Sequence, residues 1–128
     1  MARSRFSGPI RSTAGYEVGS GTTNTVVIDS AGAISAGGGT KITKIMVYTP
    51  SLTPSSVAAA TTDEQTFTVT GLATTDKVIV NGPAPTAGTG IVNARVSATN
   101  TLAIAFANVT AGALTPAAGK YTVIAIRS

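Results

Sequence analysis

The stretch IVNARVSATNTLAIAF (91–106) decides the fold. Its two β-prone halves flank 97–100, a connection whose length and residue types favour a tight hairpin. Leu102, Ile104 and Phe106 alternate strictly with Thr101, Ala103 and Ala105, which assigns one face of the second strand to a core. On either side the pattern repeats. TFTVT (66–70), KVIVN (77–81) and YTVIAI (121–126) are short runs rich in Val, Ile and Thr, separated by segments such as GLATTD and GPAPTAGTG. Strands this short, punctuated by Gly and Pro, indicate an all-β sandwich or barrel.

Phe67 and Val69 alternate with threonines, and Leu72 is placed to plug the core end behind Gly71. KVIVN and YTVIAI are more continuously apolar and read as central strands. Further back, TVVID (25–29) and KITKIMVY (41–48) read as the first strands of the body, with Lys41 and Lys44 marking an edge. The segment 49–65 reads as a loop with a helical turn over 55–60. The expectation is an antiparallel β-sandwich, jelly-roll or Ig-like, over 25–128, preceded by an extended N-terminal arm over 1–24.

In that arm Phe6, Ile10, Tyr16 and Val18 are the large apolar side chains, spaced by Gly8-Pro9, Gly15 and Gly19. Pro and Gly there stop any helix. Two readings remain: a solvated tail, or an arm that orders on a neighbour. In the second, Phe6, Ile10, Tyr16 and Val18 fill shallow pockets and Arg3, Arg5 and Arg11 meet carboxylates.

Charged residues make up 11% of the 128 positions, against about 25% in an ordinary soluble domain. A surface so poor in charge is weakly protected against association and fits a chain covered in an assembly. The net charge of +4 is scattered, and aromatics are 5%. A basic stripe with interleaved aromatics is lacking, so nucleic acid is not expected as a partner. No run reaches the ~18 apolar residues of a membrane span, and MARSRFSGPIRS lacks the apolar segment of a signal peptide.

Catalytic chemistry has little to work with. Cys and His are absent, which removes thiolate nucleophiles, the commonest general base and the commonest transition-metal ligand. The acids are Glu17, Asp29, Asp63, Glu64 and Asp76. Asp63 and Glu64 are neighbours that would point apart on an extended chain, and no calcium-loop spacing occurs. The runs GSG (19–21) and GGG (37–39) lack the strand and helix of a phosphate loop. Neither an enzyme nor a cofactor is expected.

The stretches EQTFTVTGLATTDKVIVNGPAP (64–85) and GIVNARVSATNTLAIAFANVTAGALTPAAGKYTVIAIR (90–127) resemble a β-domain of tailed-bacteriophage structural proteins, particularly virion decoration (capsid cement) proteins. The opening FSGPIRSTAGYEVGS (6–20) is similar to arms that begin phage surface proteins. The resemblance implies a structural protein on the phage head, made in the host cytoplasm, with the major capsid protein for a partner. The low-charge surface, with apolar strand edges to cover, leads to an expectation of self-association as a homotrimer. A receptor-facing fibre or adhesion domain and a tail or neck adaptor are the alternatives. A chain beginning at Met1 without repeats or a stalk favours the stand-alone decoration protein.

Overall fold

The computed structural model describes residues 13–20 and 23–128. Among these described residues eleven strands run in order: β1 (Gly15–Ser20), β2 (Thr23–Asp29), β3 (Ile34–Ala36), β4 (Lys44–Tyr48), β5 (Ser51–Leu52), β6 (Thr61–Thr68), β7 (Lys77–Asn81), β8 (Thr89–Ala98), β9 (Thr101–Asn108), β10 (Gly119–Lys120) and β11 (Thr122–Arg127). Every pairing between them is antiparallel, and no helix occurs among the described residues. The chain divides into two compact units, Met1–Thr43 and Lys44–Ser128.

The second unit carries the core. One sheet runs β4-β11-β7, the other β6-β9-β8, and β5 pairs with β10. Leu102, Ile104 and Phe106 from β9 and Val96 from β8 form one cluster with Val123 and Ala125 from β11, joined by Met46, Tyr48, Val78 and Val80. The two sheets therefore share one apolar interior, as a β-sandwich does. Leu72 is buried behind Gly71, as its position predicts.

The hairpin forms with a tighter turn than its composition required. Thr101 pairs with Ala98, and Asn100 holds a φ of 60°, a left-handed conformation that Asn tolerates. That tip also fastens the loop after β6. The Asn100 carbonyl accepts from the Val69 amide (2.8 Å), its side-chain oxygen accepts from the Gly71 amide (2.7 Å), and its own amide donates to Leu72 (2.9 Å). Gly71 has a φ of 105°, and a Cβ there would stand 2.9 Å from the Tyr48 hydroxyl. Only glycine fits both conditions.

Three expectations are corrected. The segment 49–65 is not wholly loop, because β6 begins at Thr61, where Thr61–Thr68 pairs along all of β9. No helical turn forms over 55–60; Val57 instead exchanges both backbone hydrogen bonds with Leu114. KVIVN is not central: β7 is an edge of its sheet, and β11 alone is flanked on both sides. The apolarity of β7 has another cause, taken up below.

Two buried polar side chains, Asp76 and Asn108, hold loops of the second unit. Asp76 accepts from Arg127 Nε (2.6 Å) and Nη2 (2.8 Å) and from the Ala73 amide (2.9 Å), tying the 71–76 loop to the end of β11. Its side chain is fully buried while Arg127 keeps partial solvent contact. The Arg127 hydrogen bonds hold the Asp76 carboxyl below its ordinary value of 3.8, against the opposing effect of burial. Replacing Asp76 by Asn is expected to cost about 2–3 kcal/mol at neutral pH, less than a fully desolvated pair because Arg127 stays wet. Since the folded-state value is depressed, this stabilisation is present above the ordinary carboxyl range. It is lost as pH falls through the lowered value. Urea titrations of both proteins at pH 7 and pH 3 check it: the gap must narrow on acidification.

Candidate docking surface

The outer faces of the two sheets differ in kind. On β6-β9-β8 the strand register places Thr66, Ala103 and Arg95 in one row and Glu64, Ala105 and Asn93 in the next. Arg95 donates from Nε to Glu64 Oε2 (3.0 Å) and from Nη2 to Glu64 Oε1 (2.6 Å). This two-pronged pair joins the flanking strands β6 and β8 across β9. Ala103 has no solvent exposure although its parity turns it outward, so the pair and its neighbours cover it. Small residues on β9 are what permit the crossing. The Arg95 hydrogen bond also holds the Glu64 carboxyl below its usual range.

The outer face of β4-β11-β7 has no such cover. Register aligns Val47, Ile124 and Ile79 in one row and Ile45, Ile126 and Lys77 in the next. Ile45, Val47 and Ile79 are 62%, 64% and 63% exposed. Lys77 is the one charge in these rows. Scattered surface aliphatics are ordinary, but aligned rows on one sheet face form a contiguous patch, the mark of an interaction surface.

The first unit repeats the feature on a smaller scale. Its sheet runs β1-β2-β3, and Ile28, Ile34 and Ile42 form one cross-strand row, the last through an isolated bridge. Tyr16 takes the register position opposite Ile28, and Val18 the one opposite Val26. Val26, Ile28 and Ile34 are 36%, 39% and 42% exposed, and Ala33 is the buried apolar side chain among those described in this unit. Asp29 closes the β2–β3 turn by accepting from the amides of Ala33 (2.9 Å) and Ala31 (3.0 Å) and from Lys41 (3.2 Å). Those bonds, the Ala33 one first, lower its carboxyl from the ordinary value.

Of the residues the sequence singles out for binding, Arg3, Arg5, Phe6, Ile10 and Arg11 lie outside the described residues. Tyr16 and Val18 lie in β1, whose register joins them to the Ile28 and Val26 rows. Sequence patterning gives Ile45, Val47, Ile79, Ile124 and Ile126 no binding role. The available signal is that the outward positions of KIMVY and TVIAI carry Ile45, Val47, Ile124 and Ile126, and that Ile79 stands between Lys77 and Asn81, where a wet outer face would show polar residues throughout.

A cavity of about 280 Å³ opens beside Val80, Pro83, Phe106, Pro116 and Tyr121. Two of its polar groups are engaged internally: the Tyr121 hydroxyl donates to the Ala117 carbonyl (2.7 Å) and Thr89 Oγ1 to the Thr86 carbonyl (2.8 Å). Burial pushes the Tyr121 hydroxyl pKa up. No group of three or more potential metal ligands occurs among the described residues. No family model, curated protein or solved structure matches the chain.

Proposed function

We propose that this protein is a structural component of a tailed-phage virion: a decoration, or cement, protein that binds the outside of the head and stabilises contacts between coat subunits. The supporting observation is that each unit carries rows of aliphatic side chains on an uncovered sheet face, in a chain with very few charges. Such surface favours a protein that works while covered by others. The sequence resemblance supplies the virion context. In this reading the body is a jelly-roll or Ig-like antiparallel sandwich with an N-terminal arm. Its partners are the major capsid protein and its own copies as a homotrimer, its place is the head surface after synthesis in the host cytoplasm, and its role is binding without catalysis or cofactor.

Cementing follows from mass action. A ligand that binds only the assembled shell stabilises that shell by its binding free energy, and many copies on a lattice multiply a modest gain per site.

The test is a particle-binding assay with phage heads lacking the protein, comparing the full chain with a chain beginning at Thr13. That truncation removes Arg3, Arg5, Phe6, Ile10 and Arg11 and leaves every described strand intact. The expected result is unchanged circular dichroism with lost or strongly weakened decoration. Charge reversal at Arg5 and Arg11 should weaken binding more at low salt than at high salt, and Phe6→Ala should weaken it at both. Full binding by the truncated chain would remove the arm as anchor. Failure of the full chain to bind heads, with binding to host cells instead, would favour the fibre alternative.

A further inference from the structure

The geometry points to a modification site: the side chain of Asn81 closes on the backbone nitrogen of Gly82, and the chain is converted there, without an enzyme, to aspartate and isoaspartate. Asparagine is one of the thermolabile residues. The reaction needs the following amide nitrogen to reach the side-chain carbonyl carbon. A Cβ on the following residue obstructs that approach, and glycine has none. Of the asparagines at positions 24, 81, 93, 100 and 108, Asn81 is the one that glycine follows.

The fold leaves both reacting groups free. Asn81 is the last residue of β7, an edge strand, and it is exposed. Among the described residues no hydrogen bond engages its side-chain amide or the Gly82 N–H. The ladder with β11 ends at the Asn81–Thr122 pair, and the end of a ladder is where backbone opens at least cost. Three other asparagines differ. Asn100 accepts from the Gly71 amide (2.7 Å). Asn108 is buried with its side-chain nitrogen and oxygen both bonded. Asn93 lies inside β8 with Ala94 after it.

The glycine is not free to become a residue that would slow the reaction. A Cβ at Gly82 would stand 2.9 Å from the Tyr121 ring, which is buried and held by its hydroxyl on the Ala117 carbonyl (2.7 Å). Packing of the body thus keeps the reactive pair in place.

The step balances with water as the one co-reactant. The Gly82 nitrogen bonds to Asn81 Cγ and gives up its proton. The bond from Cγ to the side-chain nitrogen breaks, and that nitrogen leaves as ammonia. Water then opens the five-membered imide. Attack at Cγ restores the ordinary peptide link and leaves an aspartate side chain. Attack at the main-chain carbonyl carbon leaves the chain running through the side chain, one methylene longer, with a free α-carboxylate. Either product adds a negative charge to a chain that has five acidic residues. Asn81 shares the parity of Ile79 and Lys77, so that charge stands at the border of the exposed aliphatic rows. The modification is independent of what those rows bind.

Incubation of the full chain at mildly alkaline pH, then trypsin digestion and mass spectrometry, tests it. Fragmentation of the peptide 78–95 separates Asn81 from Asn93, and labelling by a protein isoaspartyl methyltransferase reports the β-linked product. The folded chain should convert at Asn81 at least roughly tenfold faster than at Asn93, Asn100 or Asn108, because Asn81 alone is followed by glycine. Its rate should lie within about tenfold of the rate in urea, since little opening is needed. Asn81→Gln enlarges the ring to be closed at an exposed position and should remove most of the label. Asn81 that stays intact in the folded chain, or reacts there more than about tenfold slower than in urea, overturns the inference. So does labelling that survives Asn81→Gln.

Discussion

Phe106→Ala lowers the stability of the body by about 3–4 kcal/mol, within the range for removing a buried aromatic side chain. Phe106 is the largest of the fully buried side chains and projects from the central strand β9 into the interior shared by both sheets. Truncation deletes its apolar surface and leaves a void between two sheets whose remaining side chains keep them apart. Its ring also borders the 280 Å³ cavity beside Tyr121. Water can therefore reach part of the new space, which sets the loss toward the lower part of the range. The measurement is urea unfolding followed by near-ultraviolet circular dichroism, which reports Tyr48 and Tyr121 in the body. Val109→Ala serves as the control: Val109 is 80% exposed, and its truncation should stay within about 0.5 kcal/mol. An unchanged midpoint for Phe106→Ala would mean that the β9 face is not the core.

The β9 face was legible because its evidence is local. Strict alternation of Leu102, Ile104 and Phe106 with small residues admits one assignment of inside and outside, and the residues of 97–100 admit a hairpin turn. The same logic placed Leu72 at the core end. It failed for 61–65, where TTDEQ has the composition of a solvated loop. Those residues are a strand because β9 offers eight consecutive partners, a long-range cause that composition does not carry.

Failure at β7 has more bearing on function. A run of apolar residues on both parities signals burial on both faces, and on that basis KVIVN reads as a central strand. The inference of burial needs a covering layer, and the sequence does not say whose. In the chain, Val78 and Val80 face the core while Ile79 faces outward on an edge strand. The same holds for Ile45 and Val47 in β4. A signal read as position within the fold is thus equally a signal of surface to be covered by another molecule. The arginines, Phe6 and Ile10 of 1–12 are, by contrast, singled out by residue type and spacing, and they lie outside the described residues.

Asn108→Asp produces the other large loss, and its pH window lies above that of Asp76. Asn108 is a fully buried polar side chain at the end of β9. Its amide nitrogen donates to the carbonyls of Val57 (3.1 Å), Ala58 (3.1 Å) and Gly112 (2.8 Å). Its oxygen accepts from the Thr110 amide (3.0 Å) and hydroxyl (2.8 Å). One amide thus satisfies the loop on both sides, which is why the turn after β9 stays closed over the core. Asn108→Ala should cost about 2–3 kcal/mol. The Val57 carbonyl keeps the Leu114 amide and the Gly112 carbonyl keeps the Thr110 hydroxyl, so the Ala58 carbonyl and the lost packing carry most of it. Asn108→Asp at pH 7 should cost more, about 4–5 kcal/mol, because the nitrogen donor becomes a carboxylate oxygen aimed at three carbonyl oxygens. That environment raises the introduced carboxyl's folded-state pKa above its unfolded value. Its protonated form keeps a donor for one carbonyl, so the variant is least damaged below the unfolded value. It loses stability as pH rises through the folded one. Urea unfolding at pH 4 and pH 7 should show the gap to the parent protein widening with pH, whereas the Asp76→Asn gap widens only up to the ordinary carboxyl range and then holds. A pH-independent Asn108→Asp gap would show that the carbonyls of Val57, Ala58 and Gly112 do not converge on this side chain, and that the loop is closed by its apolar contacts instead.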